Sequence, residues 1–177
     1  AEILERLNLP YLITGGIAVL IWGRPRFTAD IDIVVELRYQ DIKKLKTALQ
    51  ELGDAGYIDE ISMQKALDTE GEFNFIDGET GVKIDFWILK NNLFDKSRLK
   101  RRLAKEVLGK KVYFTSPEDL ILIKLLWYKN SSSSRQLEDV ESIFKISGKE
   151  LDMNYIKNWS TKLGVLDILN QATPSPR

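Results

Sequence analysis

The 177-residue chain contains no cysteine and no histidine. The first absence excludes disulfides, cysteine-ligated zinc and thiol nucleophiles, and the second removes the commonest general base and any Ser-His-Asp arrangement. Chemistry on this chain must therefore run on carboxylates, Lys, Arg, hydroxyls and bound metal. Neither sign of charge is in excess, with 26 Lys and Arg against 26 Asp and Glu. No global field then draws nucleic acid, and any such contact needs a local patch. No apolar run reaches the length of a membrane span and none reads as a signal peptide, which makes a cytoplasmic protein the expectation. With 44% hydrophobic and 29% charged residues, the chain has the composition of a globular protein. It is long enough for one core with a helical appendage.

What the sequence does have is carboxylates in an unusual place. Asp30 and Asp32 head the β-branched run Asp30-Ile31-Asp32-Ile33-Val34-Val35. Side chains alternate along a strand, so the two acids share a face with Cα atoms roughly 6.5–7 Å apart. Like charges that close repel, and the arrangement persists when a cation or other partner neutralises it. Oxygen-only ligands select a hard ion such as magnesium or manganese. Upstream, Gly15-Gly16 falls where the strand Tyr11–Thr14 hands over to a short apolar helix, Ile17–Trp22. Missing side chains and free helix N–H groups suit a phosphate at such a junction. A tight turn without ligand has the same pattern.

Along the chain, residues 2–8 read as an amphipathic helix stopped before Pro10, and Arg24–Ala29 as a loop. Ile31–Glu36 is a strand expected at the centre of a sheet, and 40–52 carries a helical apolar stripe. Residues 58–66 read as a short strand or a turn of helix. Glu72–Ile76 and Val82–Leu89 alternate and are joined by Asp77-Gly78-Glu79-Thr80-Gly81, a hairpin link. Asp85 shares a face with Lys83 and Trp87 and needs a partner in so apolar a strand. The basic stretch Lys96–Lys111 reads as a solvated face, with nucleic-acid contact as the other reading. Val112–Phe114 is a short strand. Ser116-Pro117-Glu118-Asp119 starts a helix running to about Lys129. Asn130–Ser134 is a flexible break. Helices over 135–146, 152–163 and 166–172 and a frayed tail over 173–177 follow. The organisation expected is an α/β core over 1–115 and a helical region over 116–177 packed on it.

Gly15-Gly16, Arg26-x-Thr28-x-Asp30-x-Asp32 and the later acid in Lys83-Ile84-Asp85-Phe86 resemble the nucleotidyltransferase superfamily. The nearest likeness is to its minimal bacterial and archaeal members, including the toxin-type AbiEii enzymes. The resemblance implies an α/β (α+β) fold, a nucleotidyltransferase-like mixed β-sheet packed by helices with a helical C-terminal part. It implies two magnesium ions, with manganese as a substitute, on Asp30, Asp32 and Asp85. One ion, on all three acids, lowers the pKa of an attacking hydroxyl; the other, on Asp30 and Asp32, binds the triphosphate. Asp85 is the candidate proton acceptor. The activity implied moves a nucleoside monophosphate from a nucleoside triphosphate to a hydroxyl of an RNA 3′ end, a protein or a small molecule, releasing pyrophosphate. A toxin would have a cognate antitoxin as partner.

Several residues carry two readings. Gly15, Gly16, Arg26 and Thr28 contact phosphates by the resemblance, while Arg26 in a salt bridge to one of the acids is the simple alternative. Lys124, inside the apolar run Leu120–Trp127, either snorkels to solvent or holds the triphosphate as the AbiEii likeness implies. Arg135 and Asp139 match the region of a further essential acid, or form a helical i, i+4 pair. For the chain as a whole, the rivals to catalysis are a silent nucleotide-binding or protein-interaction module of the same fold and a metal-dependent phosphohydrolase.

Overall fold

The computed structural model describes residues 1–53 and 55–173. The expected frayed tail therefore falls, from residue 174 on, outside the described residues. The chain divides into two compact units, residues 1–17 with 27–115 and residues 18–26 with 116–177.

The first unit is built on a six-stranded mixed sheet in the order β3-β4-β2-β1-β6-β5. Its strands are β1 (Tyr11–Ile13), β2 (Asp30–Val35), β3 (Glu72–Ile76), β4 (Lys83–Ile88), β5 (Leu103–Val107) and β6 (Lys110–Phe114). β2 lies inside the sheet because its Ile33, Val34 and Val35 are buried on both faces, as β-branched residues in a central strand are. It pairs antiparallel with β1 and parallel with β4. Between β2 and β4 the chain passes through α3 (Ile42–Gln50), α4 (Glu60–Thr69) and β3. α3 buries Ile42, Leu45, Ala48 and Leu49 at helical spacing. Residues 58–66 resolve toward helix because the Asp59 carboxylate caps α4, accepting from the N–H groups of Ile61 and Ser62. β3 and β4 form the expected hairpin, and Phe73 stacks on Phe86 across it at 5.0 Å.

The basic stretch is not one solvated face. It divides into helix α5 (Leu93–Arg101) and the hairpin of β5 and β6. Arg98 is only 4% exposed and is paired with Asp95 at 2.5 Å. The Arg102 guanidinium lies 4.6 Å from the centroid of the Tyr113 ring. These contacts use part of the charge inside the unit rather than presenting it to an RNA.

The second unit is helical: α6 (Pro117–Ser131), α7 (Ser134–Ser147), α8 (Met153–Leu163) and α9 (Leu166–Ala172). Ser116 caps α6 as its sequence signalled, its Oγ accepting from the Asp119 N–H at 3.2 Å and donating to Asp119 Oδ2. The acids of that first turn also hold α8: Tyr155 donates to Asp119, and the Asp152 N–H to Glu118. Of the break expected over Asn130–Ser134, only Ser132 and Ser133 lie between the helices, with α6 reaching Ser131 and Ser132 closing it at φ 54°. Residues 18–26 group with these helices because Ser147 donates to the Trp22 carbonyl. A side chain at Gly23 would also stand 2.5 Å from Ser142 Oγ.

Candidate functional site

In the first unit, strand register sets the predicted acids at neighbouring positions of the sheet. Asp32 on β2 is the direct partner of Asp85 on β4, and Asp85 that of Asn74 on β3. Beside this row runs Asp30–Lys83–Ile76, and on its other side Val34–Trp87–Glu72. Side chains opposite one another on neighbouring strands share a face. Three strands thus present Asp30, Asp32, Asp85 and Glu72 to one side of the sheet, with Lys83, Trp87 and Asn74 among them.

The glycine pair fits against this face. Gly15 sits at φ +62°, a conformation that favours glycine, and a Cβ there would lie 1.8 Å from Asp32 Oδ2. A Cβ on Gly16 would lie 2.4 Å from Thr28 Oγ1. Both glycines belong to the helix α2 (Gly15–Trp22) rather than to a turn before it. The backbone at Gly15 therefore approaches the Asp32 carboxylate, and that at Gly16 the Thr28 hydroxyl. Thr28 itself donates weakly to the Asp30 carbonyl at 3.4 Å.

The acids have partners. Lys83 Nζ stands 2.8 Å from Asp85 Oδ1 and 2.9 Å from Oδ2, and the Trp87 indole donates to Asp32 Oδ1 at 3.3 Å. The hydrogen bond to Asp85 raises the Lys83 pKa above its ordinary value, against partial burial, and the charges of Asp85, Asp30 and Glu72 add to it. Burial pushes the Glu72 carboxyl up. The negative charges of Asp85 and Asp32 push it further, against Lys83. The face thus carries a concentrated negative field, and a cation already answers it.

The donor set is oxygen-only, the chemistry of a hard divalent ion. Among the described residues, no three acid side chains are gathered to hold one. With Lys83 on Asp85, the strands supply the right donors in adjacent positions, while one of those donors is engaged by an ammonium. Glu72 and Asn74 escaped the sequence reading. The alternation of β3 carried the signal, but which of its faces meets Asp85 depends on the hairpin register.

In the second unit, Lys124 does not snorkel. It is 2% exposed and its Nζ lies 2.7 Å from Asp139 Oδ2. Arg26 completes the cluster through Nε to Oδ1 at 2.7 Å and Nη2 to Oδ2 at 2.8 Å. Arg26 thus makes a salt bridge to Asp139, an acid outside the three for which such a bridge was expected. Arg135 is exposed, and the Asp139 carboxylate is gripped by Arg26 and Lys124 rather than serving a helical pair. Burial alone would push the Asp139 carboxyl up. Hydrogen bonds from Arg26 and Lys124 more than reverse this and hold it below the ordinary 3.8.

No protein-family model matches the chain and no curated protein matches it. Solved structures do. A crystal structure of ANT(2″)-Ia in complex with adenylyl-2″-tobramycin is 14% identical, covering 92% of this chain and 91% of that one, with a TM-score of 0.58. The solution structure of the same antibiotic-resistance factor is 15% identical over 96% of this chain and 92% of that one, with a TM-score of 0.55. The lincosamide antibiotic adenylyltransferase LnuA, with lincomycin bound, is 15% identical over 82% of this chain and 92% of that one, with a TM-score of 0.51. A mixed sheet packed by helices is thus shared with these proteins over most of the chain's length, and the chain has the nucleotidyltransferase fold.

Proposed function

We propose that this chain is a magnesium-dependent nucleotidyltransferase. It moves a nucleoside monophosphate from a nucleoside triphosphate to a hydroxyl acceptor and releases pyrophosphate. The observation that supports this most is the direct register of Asp32 with Asp85, with Asp30 on the same face and the Gly15 backbone against Asp32. Asp30, Asp32 and Asp85 are the residues that would hold magnesium or manganese. When bound, such ions neutralise the triphosphate and lower the pKa of an attacking hydroxyl. The backbone at Gly15 and Gly16 and the Thr28 hydroxyl line the place for phosphate oxygens. Asp85 accepts the proton of the acceptor hydroxyl. The hydroxyl oxygen bonds to the α-phosphorus, the bridging bond to the β-phosphate breaks, and its electron pair leaves with pyrophosphate.

A small-molecule hydroxyl is the acceptor class we favour. Its support is that LnuA is a lincosamide adenylyltransferase and that ANT(2″)-Ia was solved with an adenylylated tobramycin. The test is the melting temperature with each nucleoside triphosphate, with and without magnesium, for wild type and Asp30→Ala/Asp32→Ala, followed by pyrophosphate release with candidate acceptors. A nucleotide at a hundred times its dissociation constant adds about 2.7 kcal/mol. The expected result is a magnesium-dependent shift that the double variant loses. A shift indifferent to the acids, with no pyrophosphate released, makes the chain a silent binding module of the same fold. Growth arrest on expressing wild type but not the double variant would move the acceptor to cellular RNA or protein, the toxin case with its antitoxin.

A further inference from the structure

β4 carries its own cation onto the acid face. Lys83 grips both oxygens of Asp85, at 2.8 and 2.9 Å, and faces Asp30 in the neighbouring register row. Asp30 and Glu72 attract it as well. The two side chains of the pair differ in freedom: Lys83 is 40% exposed and Asp85 12%. The ammonium can therefore swing into solvent on its flexible stem, whereas the carboxylate is fixed by the strand. Trp87, on the other side of Asp85, is different in kind. Its indole donates one hydrogen bond to Asp32 and brings no charge.

We propose that Lys83 is a tethered counter-ion that holds Asp85 in the metal-free chain and competes with the divalent cation for it. Loading then requires the ammonium to leave Asp85, and the strength of its hold sets how tightly the cation binds. This rests on the reading above only in naming Asp85 as a cation ligand. An ordinary surface ion pair is worth little and its removal changes stability slightly. A competing counter-ion is distinguished because its removal strengthens binding of another ligand.

The test is Mn²⁺ binding to the full chain, read from the loss of the free-ion paramagnetic resonance signal, for wild type, K83M, K83R and D85N. Removing one positive charge beside the carboxylate leads K83M to bind Mn²⁺ about tenfold more tightly, or more. K83R stays near wild type, and D85N lowers the affinity in either background. Circular-dichroism melts check folding, and K83Q serves if K83M does not fold. K83M affinity equal to or weaker than that of wild type, with wild type still binding through Asp85, overturns the role of Lys83 and leaves the cation site standing. No Mn²⁺ bound by wild type, K83M or K83Q, even with nucleoside triphosphate present, overturns both.

Discussion

One buried carboxylate, Asp139, carries two cations. Removing the acid strands charge in the interior, so Asp139→Asn is expected to cost about 3–5 kcal/mol in chemical denaturation. Lys124→Met/Asp139→Asn recovers most of that loss, because no buried ammonium remains. The pH dependence has a definite sign. With its folded pKa held below the ordinary value, Asp139 contributes stability that is fully present above that value and is lost as pH falls through the folded one. Below about pH 4, thermal melts of wild type therefore drop more steeply than those of Asp139→Asn. Gly15→Ala places a Cβ on Asp32 and forces a left-handed residue. The expected cost is about 1–2 kcal/mol of stability, together with loss of the nucleotide-dependent melting shift. That Asp30 and Asp32 share a face was legible because strand alternation is local, whereas the placing of Asp85 opposite Asp32 depends on the register of β2 with β4. The partner of Lys124 was not legible, since Asp139 and Arg26 reach it from two distant stretches of chain.

Elements were legible where a cap or a period marks them. α6 announces itself by Ser116, Pro117 and a continuous apolar run. Ser116→Ala is expected to cost about 1 kcal/mol in denaturant melts. Leu122→Ala, at a fully buried position, costs about 2–5 kcal/mol. β5 had no such mark: all five of its residues are exposed, and its ladder with β6 holds it by backbone hydrogen bonds that no side-chain pattern reports. α4 was ambiguous because its apolar run is short, and the Asp59 cap decides it. Part of the basic stretch turned inward for a reason residue counting misses. Arg98 pairs with Asp95 one helical turn away, and its guanidinium lies 5.6 Å from the centroid of the Phe94 ring.

At the scale of the whole molecule, neither unit is one continuous segment. Residues 18–26 leave the sheet unit, join the helices and return. A fragment ending at residue 115 keeps the apolar Ala18, Val19 and Trp22 but loses Ser142, Ile143 and Ser147, which surround Gly23 and Trp22. It is expected to bind an apolar dye and melt with less cooperativity than the full chain. Among the described residues, no helix is long and apolar enough to cross a membrane. The parallel pairing of β2 with β4 also governs when the acids meet. A parallel pair needs a crossover, and here it takes in everything from Glu36 to Val82. Long-range pairings form slowly because the intervening loop must close first. During synthesis, the growing chain carries Asp30 and Asp32 as an incomplete pair, and the acid row comes into being only after β4 has left the ribosome and docked.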